Sequence, residues 1–225
     1  MNHPGPLDYT RQRDIVDPAR LAAVHVDLVG CGAINSPTGL VLAKMGCTDL
    51  RAIDFGRVEP VNVSGQIFRL ADARAHAWKA EALRDIYHAF AGVEVQAACM
   101  AAADVALRGV VVMGVDSMAA RQAIWEQVLA SPTVSHLIDG RMGATNGMVL
   151  TVRLDRPADR RAYESSLYDD DRAVDLPCTG RTVLYNTFWI AALIARQVSR
   201  IASEQSPPEY RVDFDLANLS LLVEA

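Results

Sequence analysis

Strand-length apolar runs alternate with stretches of helical periodicity along most of the chain. The predicted strands cover residues 24–29, 50–55, 93–99, 110–115 and 134–138. Predicted helices separate them over residues 38–45, 76–91 and 117–130. This alternation is typical of a parallel sheet covered by helices. We therefore predict an α/β fold, with a Rossmann-like, mostly parallel sheet and helices on both of its faces.

The pattern changes from residue 147 onward. Apolar residues occupy every second position from residue 148 to residue 154, which predicts an antiparallel strand. Residues 155–180 are dominated by charged and turn-forming residues, so we predict a long surface loop there. A helix is predicted over residues 182–201 and a last edge strand over 210–216. We expect antiparallel C-terminal strands to extend the sheet, in a single domain over residues 1–225 with an N-terminal arm at 1–22.

Composition and charge limit the class of protein. The 225 residues are 51% hydrophobic and 22% charged, which fits a folded soluble domain rather than a disordered chain. The formal net charge of -5 disfavours nucleic acid as a partner. No apolar run approaches the roughly 18 residues of a membrane span, and the N-terminus lacks an apolar signal core. We therefore expect a cytoplasmic protein that does not bind a membrane.

A glycine pair stands where the first predicted strand turns into a helix. Gly30 and Gly32 allow a phosphate to approach the backbone amides at a helix N-terminus. Asp54 ends the next predicted strand, at about the spacing (roughly 20 residues) at which a carboxylate meets a ribose hydroxyl. The alternatives are glycines that serve the turn geometry alone and a solvated turn aspartate. The pattern indicates nucleotide binding but does not separate a nicotinamide dehydrogenase from an ATP-using enzyme.

Five further groups of residues follow in a fixed order. They are Tyr9-Thr10-Arg11-Gln12, Val58-Glu59-Pro60-Val61-Asn62 with Gln66 close behind, Lys79, the stretch from Val115 to Gln122, and Pro177-Cys178-Thr179-Gly180-Arg181. This order resembles the ThiF/MoeB/HesA family, the adenylyltransferases related to ubiquitin-activating enzymes, and looks most like a bacterial branch of it. The resemblance covers nearly the whole chain, and the ordered set is far more specific than the glycine loop.

The resemblance implies ATP- and Mg²⁺-dependent adenylation of the C-terminal carboxylate of a small ubiquitin-like or sulfur-carrier protein. The carboxylate attacks the α-phosphate and pyrophosphate leaves, so the protein must position the reactants and neutralise phosphate charge. The resemblance further implies a homodimer in which Arg11 reaches the site of the other subunit as an arginine finger. A conjugating enzyme or sulfur acceptor is the expected further partner.

The resemblance assigns nucleotide-binding roles to Gly30, Gly32, Asp54, Asn62, Gln66, Lys79 and Asp116. The glycines face the nucleotide and Asp54 holds the ribose. The side chains of Asn62 and Gln66 lie along the phosphates together with Lys79, which acts as a point charge. Asp116 stands at the carboxyl end of a predicted strand, where ligands bind in open α/β sheets, and it is the expected Mg²⁺ ligand.

Each of these residues also has a plainer interpretation when it is considered alone. Lys79 is then a solvated helix lysine, and Asn62 is a turn residue. Asp116 or Ser117 is then a helix cap. Arg11 is then part of a disordered arm. Their order along the chain favours the functional interpretation.

Three positions depart from the family pattern. Gly65 stands where the family has an arginine, and Gly56 replaces the second acidic residue of its DxD motif. Asn35 replaces the third glycine of the loop. Arg57 and Arg141 are candidates to replace the lost guanidinium. The departures leave open a non-catalytic subunit that binds a partner, besides family members that adenylate a peptide or modify tRNA.

The four cysteines form no CxxC pair, so we predict neither a disulfide scaffold nor a structural zinc site. Cys31, Cys47 and Cys99 have the sequence contexts of small buried residues. Cys178 differs, because it precedes a predicted helix and Arg181 is nearby, an environment that lowers a thiol pKa. Its position matches the family cysteine that accepts the activated carrier as a thioester or persulfide. An inert loop cysteine is the alternative.

Overall fold

An eight-stranded mixed sheet forms the centre of the fold. The computed structural model describes residues 6–168, 183–203 and 207–224. The strands are β1 (His25–Val29), β2 (Asp49–Ile53), β3 (Gln96–Ala98), β4 (Gly109–Met113), β5 (Val134–Met142), β6 (Asn146–Arg153), β7 (Arg211–Asp215) and β8 (Ser220–Glu224). Their order across the sheet is β3-β2-β1-β4-β5-β6-β7-β8. Strands β1 to β5 are parallel and the last three are antiparallel, which confirms the predicted fold class.

Helices cover both faces of the sheet. They are α1 (Pro18–Ala22), α2 (Asn35–Met45), α3 (Pro60–Val63), α4 (Leu70–Arg74), α5 (Lys79–Ala91), α6 (Met118–Ala130), α7 (Pro157–Ser165) and α8 (Leu184–Ser203). Helices α2, α5 and α8 share one core, and α2 packs against both of the others. Helices α6 and α7 contribute Trp125 and Tyr163 to the opposite core. Within the described ranges, no helix is both long and apolar enough to cross a membrane.

The central strands are buried on both sides. In β4, Val110 and Val112 belong to the core beneath α2, whereas Val111 and Met113 belong to the opposite core. A strand without a solvent-facing side gives a continuous apolar run in the sequence rather than an alternating one. This burial explains why the parallel strands are the elements that the sequence predicts best.

The predicted loop over residues 155–180 is wrong at its beginning, where α7 forms. Asp159 of α7 is buried and accepts a hydrogen bond from Arg153 Nε of β6 at 2.6 Å. Tyr163 is the other buried residue of this helix. Two buried positions are too few to give the helix a visible apolar period. Residues 169–182, which include the predicted Cys178 site, lie outside the described residues.

The predicted edge strand over residues 210–216 is β7, and β7 is not at the edge of the sheet. Strand β8 pairs with it in antiparallel orientation and forms the edge. All five residues of β8 are exposed, so the sequence carries no alternation of buried and exposed positions that would indicate a strand.

The order of strands reverses at β1, which lies between β2 and β4. Such a reversal leaves a crevice at the carboxyl ends of the strands, where ligands bind in open α/β sheets. The Asn35 side chain joins the two strands that border the crevice. Its Nδ2 donates to the carbonyl oxygens of Val29 in β1 and Val112 in β4, each at 3.0 Å. The fold therefore brings the residues that follow β1, β2 and β4 to one edge of the sheet.

Candidate active site

The glycine loop, residues 30–32, connects β1 to α2. Gly30 has a φ of +80°, and a Cβ at this position would lie 3.0 Å from both Gly114 O and Val115 Cγ1. Its glycine is therefore required by the fold. A Cβ at Gly32 would meet no atom within 4 Å. The space above Gly32 is open to a ligand, and a phosphate is the kind of group that such a loop holds.

The beginning of α2 offers backbone amides to this space. Ile34, the N-cap residue, has helical dihedral angles, and no side chain caps the helix. The positive end of the helix dipole therefore stays available to an anion. Asn35, which replaces the family glycine, is fully buried with its amide bonded to the strands below. This departure serves the fold and leaves the loop open.

Asp54 joins the glycine loop to the segment that follows β2. Its Oδ2 accepts a hydrogen bond from Cys31 N at 2.7 Å, and its Oδ1 accepts one from Gly56 N at 2.6 Å. A Cβ at Gly56 would lie 2.9 Å from Asp54 Oδ1. The glycine in place of the family's second acid thus lets the backbone approach the carboxylate closely. The two oxygens retain lone pairs that could accept hydrogen bonds from ribose hydroxyls.

Lys79 stands beside Asp54 at the first position of α5. Its backbone N donates to Gly56 O at 3.0 Å, and its Nζ lies 3.6 Å from the position that a Cβ on Gly56 would occupy. The ammonium group forms no hydrogen bond or ion pair with any other described residue. A cation at a helix N-terminus opposes the helix dipole. A bound anion would remove this conflict, and phosphate charge fits the site.

The loop after β4 forms the other side of the crevice. Gly114 N donates to Val29 O at 2.9 Å, which holds this loop against the glycine loop. Ser117 is the N-cap of α6, since its Oγ accepts a hydrogen bond from Ala120 N at 3.2 Å. Asp116 is exposed and does not cap the helix. Its carboxylate is available to a ligand.

Asp116 fits a Mg²⁺ site of the kind that relies on phosphate oxygens. No group of three His, Cys, Asp or Glu residues in the described ranges is arranged to hold a metal ion. Mg²⁺ commonly takes one or two carboxylates and completes its octahedron with phosphate oxygens and water. A single exposed carboxylate at the carboxyl end of β4 agrees with that chemistry.

The two predicted amide residues differ in their contacts. Asn62 Oδ1 accepts a hydrogen bond from Glu59 N at 2.9 Å, so Asn62 also caps the short helix α3. Gln66 Oε1 is buried and has no hydrogen-bond partner in the described part of the chain. The neighbouring Ile67 N donates to Ser36 Oγ at 3.4 Å, which brings this segment to the first turn of α2. Gln66 is therefore close to the start of the glycine-loop helix.

Arg11 lies away from the site of its own chain. The adjacent Gln12 donates from Nε2 to Met45 O at 2.8 Å, at the C-terminal end of α2. The glycine loop precedes the other end of this 11-residue helix, and such a helix is about 16 Å long. Arg11 is exposed and is not brought together with Asp54 or Lys79 in the same chain.

The two arginines considered as replacements for the family arginine are engaged elsewhere. Arg57 stacks on Trp78, with its guanidinium carbon 3.8 Å from the ring centroid. Arg141 donates from Nε to Asp139 Oδ2 at 2.7 Å and also bonds to Ser166. Neither guanidinium is free to take over a phosphate contact in this arrangement. Gly65 itself is buried.

The cysteines of the described segments are unsuited to nucleophilic chemistry. Cys31 and Cys47 are fully buried. Burial raises the pKa of Cys31 well above its usual range and that of Cys47 to about 12. Burial also raises the pKa of Cys99. These three thiols remain protonated near neutral pH, which leaves Cys178 as the candidate nucleophile.

Sequence reasoning missed a buried cluster next to the Asp116 loop. Asp139 in β5 is fully buried and contacts Arg121, Arg141 and Tyr163. Burial, followed by the charge of Asp139, raises the pKa of Tyr163, so the phenol stays protonated and donates to the carboxylate. The family-like motif contains Arg121, but its contacts across the sheet have no local signal in the sequence.

A second concave region lies at the opposite edge of the sheet. This cleft has a volume of about 590 Å³ and is lined by residues at the beginning of β5 and the end of β6, including His136, Arg153 and Arg160. Arg153 is paired with Asp159, and two hydroxyl groups of the cleft donate to Leu107 O. The cleft is separate from the residues that the sequence predicts as the site.

Comparisons with known proteins identify the family and support the fold. A family model described as the ThiF family matches residues 10–222. A crystal structure of E. coli MccB with AMPCPP and MccA aligns with a TM-score of 0.71 and 15% identity, over 92% of this chain and 65% of the MccB chain. A crystal structure of E. coli MccB with ATP aligns with a TM-score of 0.70 and 14% identity, over 92% and 65%.

The crystal structure of PaaA aligns with a TM-score of 0.70 and 18% identity, over 92% of this chain and 74% of the PaaA chain. At these identities the structural likeness establishes the fold. No curated protein sequence matches the chain.

The two loop glycines should respond differently to substitution by alanine. Gly30→Ala should lower the free energy of unfolding by about 1–3 kcal/mol, because alanine is strained at positive φ and its Cβ would crowd the loop after β4. Gly32→Ala should change it by less than about 0.5 kcal/mol, yet weaken ATP binding about tenfold, or 1.4 kcal/mol. Urea unfolding and titration calorimetry measure the two effects. Wild-type ATP affinity in folded Gly32→Ala would contradict the phosphate cradle.

Proposed function

Because this chain belongs to the ThiF family, we propose that it uses ATP to adenylate the C-terminal carboxylate of a ubiquitin-like or sulfur-carrier protein. The proposal is supported above all by one arrangement: Lys79 places beside Asp54, next to the open loop at Gly32, an ammonium group that pairs with no other residue in the described part of the chain. A cation, a carboxylate that can accept from a ribose and a helix N-terminus without a side-chain cap, all at one crevice, match the parts of a nucleoside triphosphate.

In the proposed reaction, the substrate carboxylate attacks the α-phosphorus of ATP and pyrophosphate leaves. The amides at the start of α2 hold phosphate oxygens, while Asp54 accepts hydrogen bonds from the ribose. Lys79 neutralises charge that moves onto the leaving pyrophosphate. Asp116 holds Mg²⁺, which neutralises further phosphate charge when it is bound. Gln66 and Asn62 flank the phosphates from the α3 side, where their amide nitrogens donate hydrogen bonds.

A short peptide is the second candidate substrate. The structural likeness to E. coli MccB favours it, because a structure of that protein contains AMPCPP together with MccA. The chemistry at the α-phosphate is the same for a peptide and for a carrier, since both present a carboxylate. The two substrates differ in the surface that holds the rest of the polypeptide.

We also propose that the protein works as a homodimer. Arg11 lies at the far end of α2 from its own glycine loop, so a role for it at the nucleotide requires the site of a second copy. The edge strand β8 supports association, because no strand within residues 6–168, 183–203 and 207–224 pairs with its outer edge and its residues are exposed. Leu222 in β8 is 70% exposed, and Leu219, the residue just before β8, is 86% exposed. Apolar residues at an unpaired edge are typical of strands that meet a partner.

ATP–pyrophosphate exchange tests the proposed function. Exchange should depend on Mg²⁺ and on a carrier ending in Gly-Gly, and Lys79→Met should lower it by at least about 100-fold because a phosphate contact is lost. Lys44→Met is the matched control, since Lys44 is exposed and bonds only to Phe90 O among the described residues. It should leave exchange unchanged. Exchange with peptide alone would select the second substrate, and none with either would indicate a non-catalytic subunit.

Thioester formation on Cys178 is the proposed next step, and it requires a separate test. The Cys178 thiolate would attack the acyl carbon of the adenylate, and AMP would leave. Cys178→Ser should retain pyrophosphate exchange but lose a reductant-sensitive conjugate with the carrier, seen on gels without reductant. A conjugate of the same sensitivity in the variant would exclude Cys178 as the acceptor.

Mixed dimers test whether Arg11 acts between subunits. Arg11→Ala alone should lower exchange by about 10³-fold, as for other arginine fingers. Coexpression of Arg11→Ala and Lys79→Met chains should restore about a quarter of the wild-type rate, because about half of the dimers are mixed and each has one complete site. If mixed dimers that are purified through two different tags have no exchange activity, action in trans is refuted.

A further inference from the structure

Asp139 is the centre of a buried ionic cluster. Its side chain is 0% exposed, and its Oδ1 accepts a hydrogen bond from Arg121 Nε at 3.1 Å. Its Oδ2 accepts hydrogen bonds from Arg141 Nε at 2.7 Å and from the Tyr163 hydroxyl at 3.1 Å. One carboxylate therefore serves two guanidinium groups and a phenol. A buried guanidinium is costly without such a partner.

Arg121 connects this cluster to the loop that carries Asp116. Its Nη2 donates to Val115 O at 2.7 Å, and its Nη1 donates to Ser117 O at 3.3 Å. The same guanidinium thus holds the carbonyl groups on both sides of Asp116. The Asp116 side chain is exposed and forms no hydrogen bond or ion pair with another described residue. The backbone that aims its carboxylate is fixed from below by Arg121.

Asp139 determines where the Arg121 guanidinium lies. The Arg121 head group is almost completely buried, and Asp139 is the one acidic side chain that pairs with it among the described residues. Without that charge, the guanidinium would gain hydration by moving toward solvent. Any such movement would release the carbonyl oxygen of Val115 and leave Ser117 O with only its hydrogen bond from the Arg121 backbone N. The position of the Asp116 loop therefore depends on a residue in the neighbouring strand.

We propose that Asp139 is a positioning residue that, through Arg121, fixes the loop of Asp116 for binding of the Mg²⁺–nucleotide complex. The proposal rests on the proposed function for the identity of the ligand. Its structural part, the dependence of the loop on Asp139, does not rest on the reaction. The two parts are therefore measured separately.

The variant that tests the proposal is Asp139→Asn. The carboxylate has two acceptor oxygens, and Arg121 donates to one while Arg141 and Tyr163 donate to the other. An asparagine amide has only one acceptor oxygen, so it cannot accept from all three groups. Hydrogen exchange of a peptide spanning residues 114–118 should become about tenfold faster in the variant, because the loop is no longer held. The Mg²⁺ concentration for half-maximal pyrophosphate exchange should rise about tenfold or more, as for other residues that orient metal ligands. The KM for the carrier should not change.

Asp159→Asn is the matched control for general loss of stability. Asp159 forms a similar buried pair with Arg153, whose Nε lies 2.6 Å from its Oδ2, but this pair joins α7 to β6 away from the crevice. Both variants should lower the melting temperature. Asp159→Asn should leave hydrogen exchange of residues 114–118 and the Mg²⁺ dependence unchanged. Equal effects of the two variants on the loop would overturn the proposal.

Arg121→Lys keeps the test decisive if Asp139→Asn does not fold. Lysine retains the charge beside Asp139, but it cannot reach both carbonyl groups around Asp116 with a planar fork. It should reproduce the faster hydrogen exchange and the higher Mg²⁺ concentration for half-maximal pyrophosphate exchange, whereas Arg153→Lys should not. If residues 114–118 exchange hydrogen as slowly in Arg121→Lys as in the wild type, the proposal is refuted. If the wild-type protein catalyses no pyrophosphate exchange, the proposed function fails, and the loop measurement still decides whether Asp139 positions Asp116.

Discussion

The hydrogen bonds of Asp54 hold the candidate site together. One carboxylate accepts from Cys31 N in the glycine loop and from Gly56 N after β2, at 2.7 and 2.6 Å. Gly56 O in turn accepts from Lys79 N at the beginning of α5. Three segments that are distant in sequence are thereby fixed around one anionic group. Hydrogen bonds to a carboxylate are stronger than those between neutral groups, which suits them to this role.

The departures from the family pattern acquire a physical explanation from these contacts. A side chain at position 56 would crowd Asp54, and a glycine allows the backbone amide to reach it. Asn35 directs its amide inward and joins β1 to β4, so its effect is on the sheet rather than on the loop surface. Neither substitution closes the crevice. The absence of an arginine before Gln66 remains a difference that Arg57 and Arg141 do not compensate in this arrangement.

Sequence reasoning recovered the parts of the fold that depend on local patterns. Strands buried on both faces, such as β4, give apolar runs that are hard to mistake. Helix α7 and strand β8 were not predicted, because α7 buries only two residues and β8 buries none. The same distinction applies to the site. Asp54 and Asp116 follow β2 and β4, the two parallel strands that flank β1, so their position at one edge of the sheet follows from strand order. The contact of Asp139 with Arg121 joins a strand to a helix, and no spacing in the sequence indicates it.

The buried cluster has an electrostatic consequence for the whole molecule. It contains two guanidinium groups and one carboxylate, so it retains an excess positive charge beside the crevice, and Lys79 adds another at its opposite wall. The chain as a whole carries a formal net charge of -5. The carboxylates of Asp54 and Asp116 offset these two positive charges, so the crevice is close to neutral within a chain that is negative as a whole. A polyphosphate is therefore repelled less at the crevice than elsewhere on the surface, and a divalent cation held by Asp116 would make the crevice the one place that attracts it.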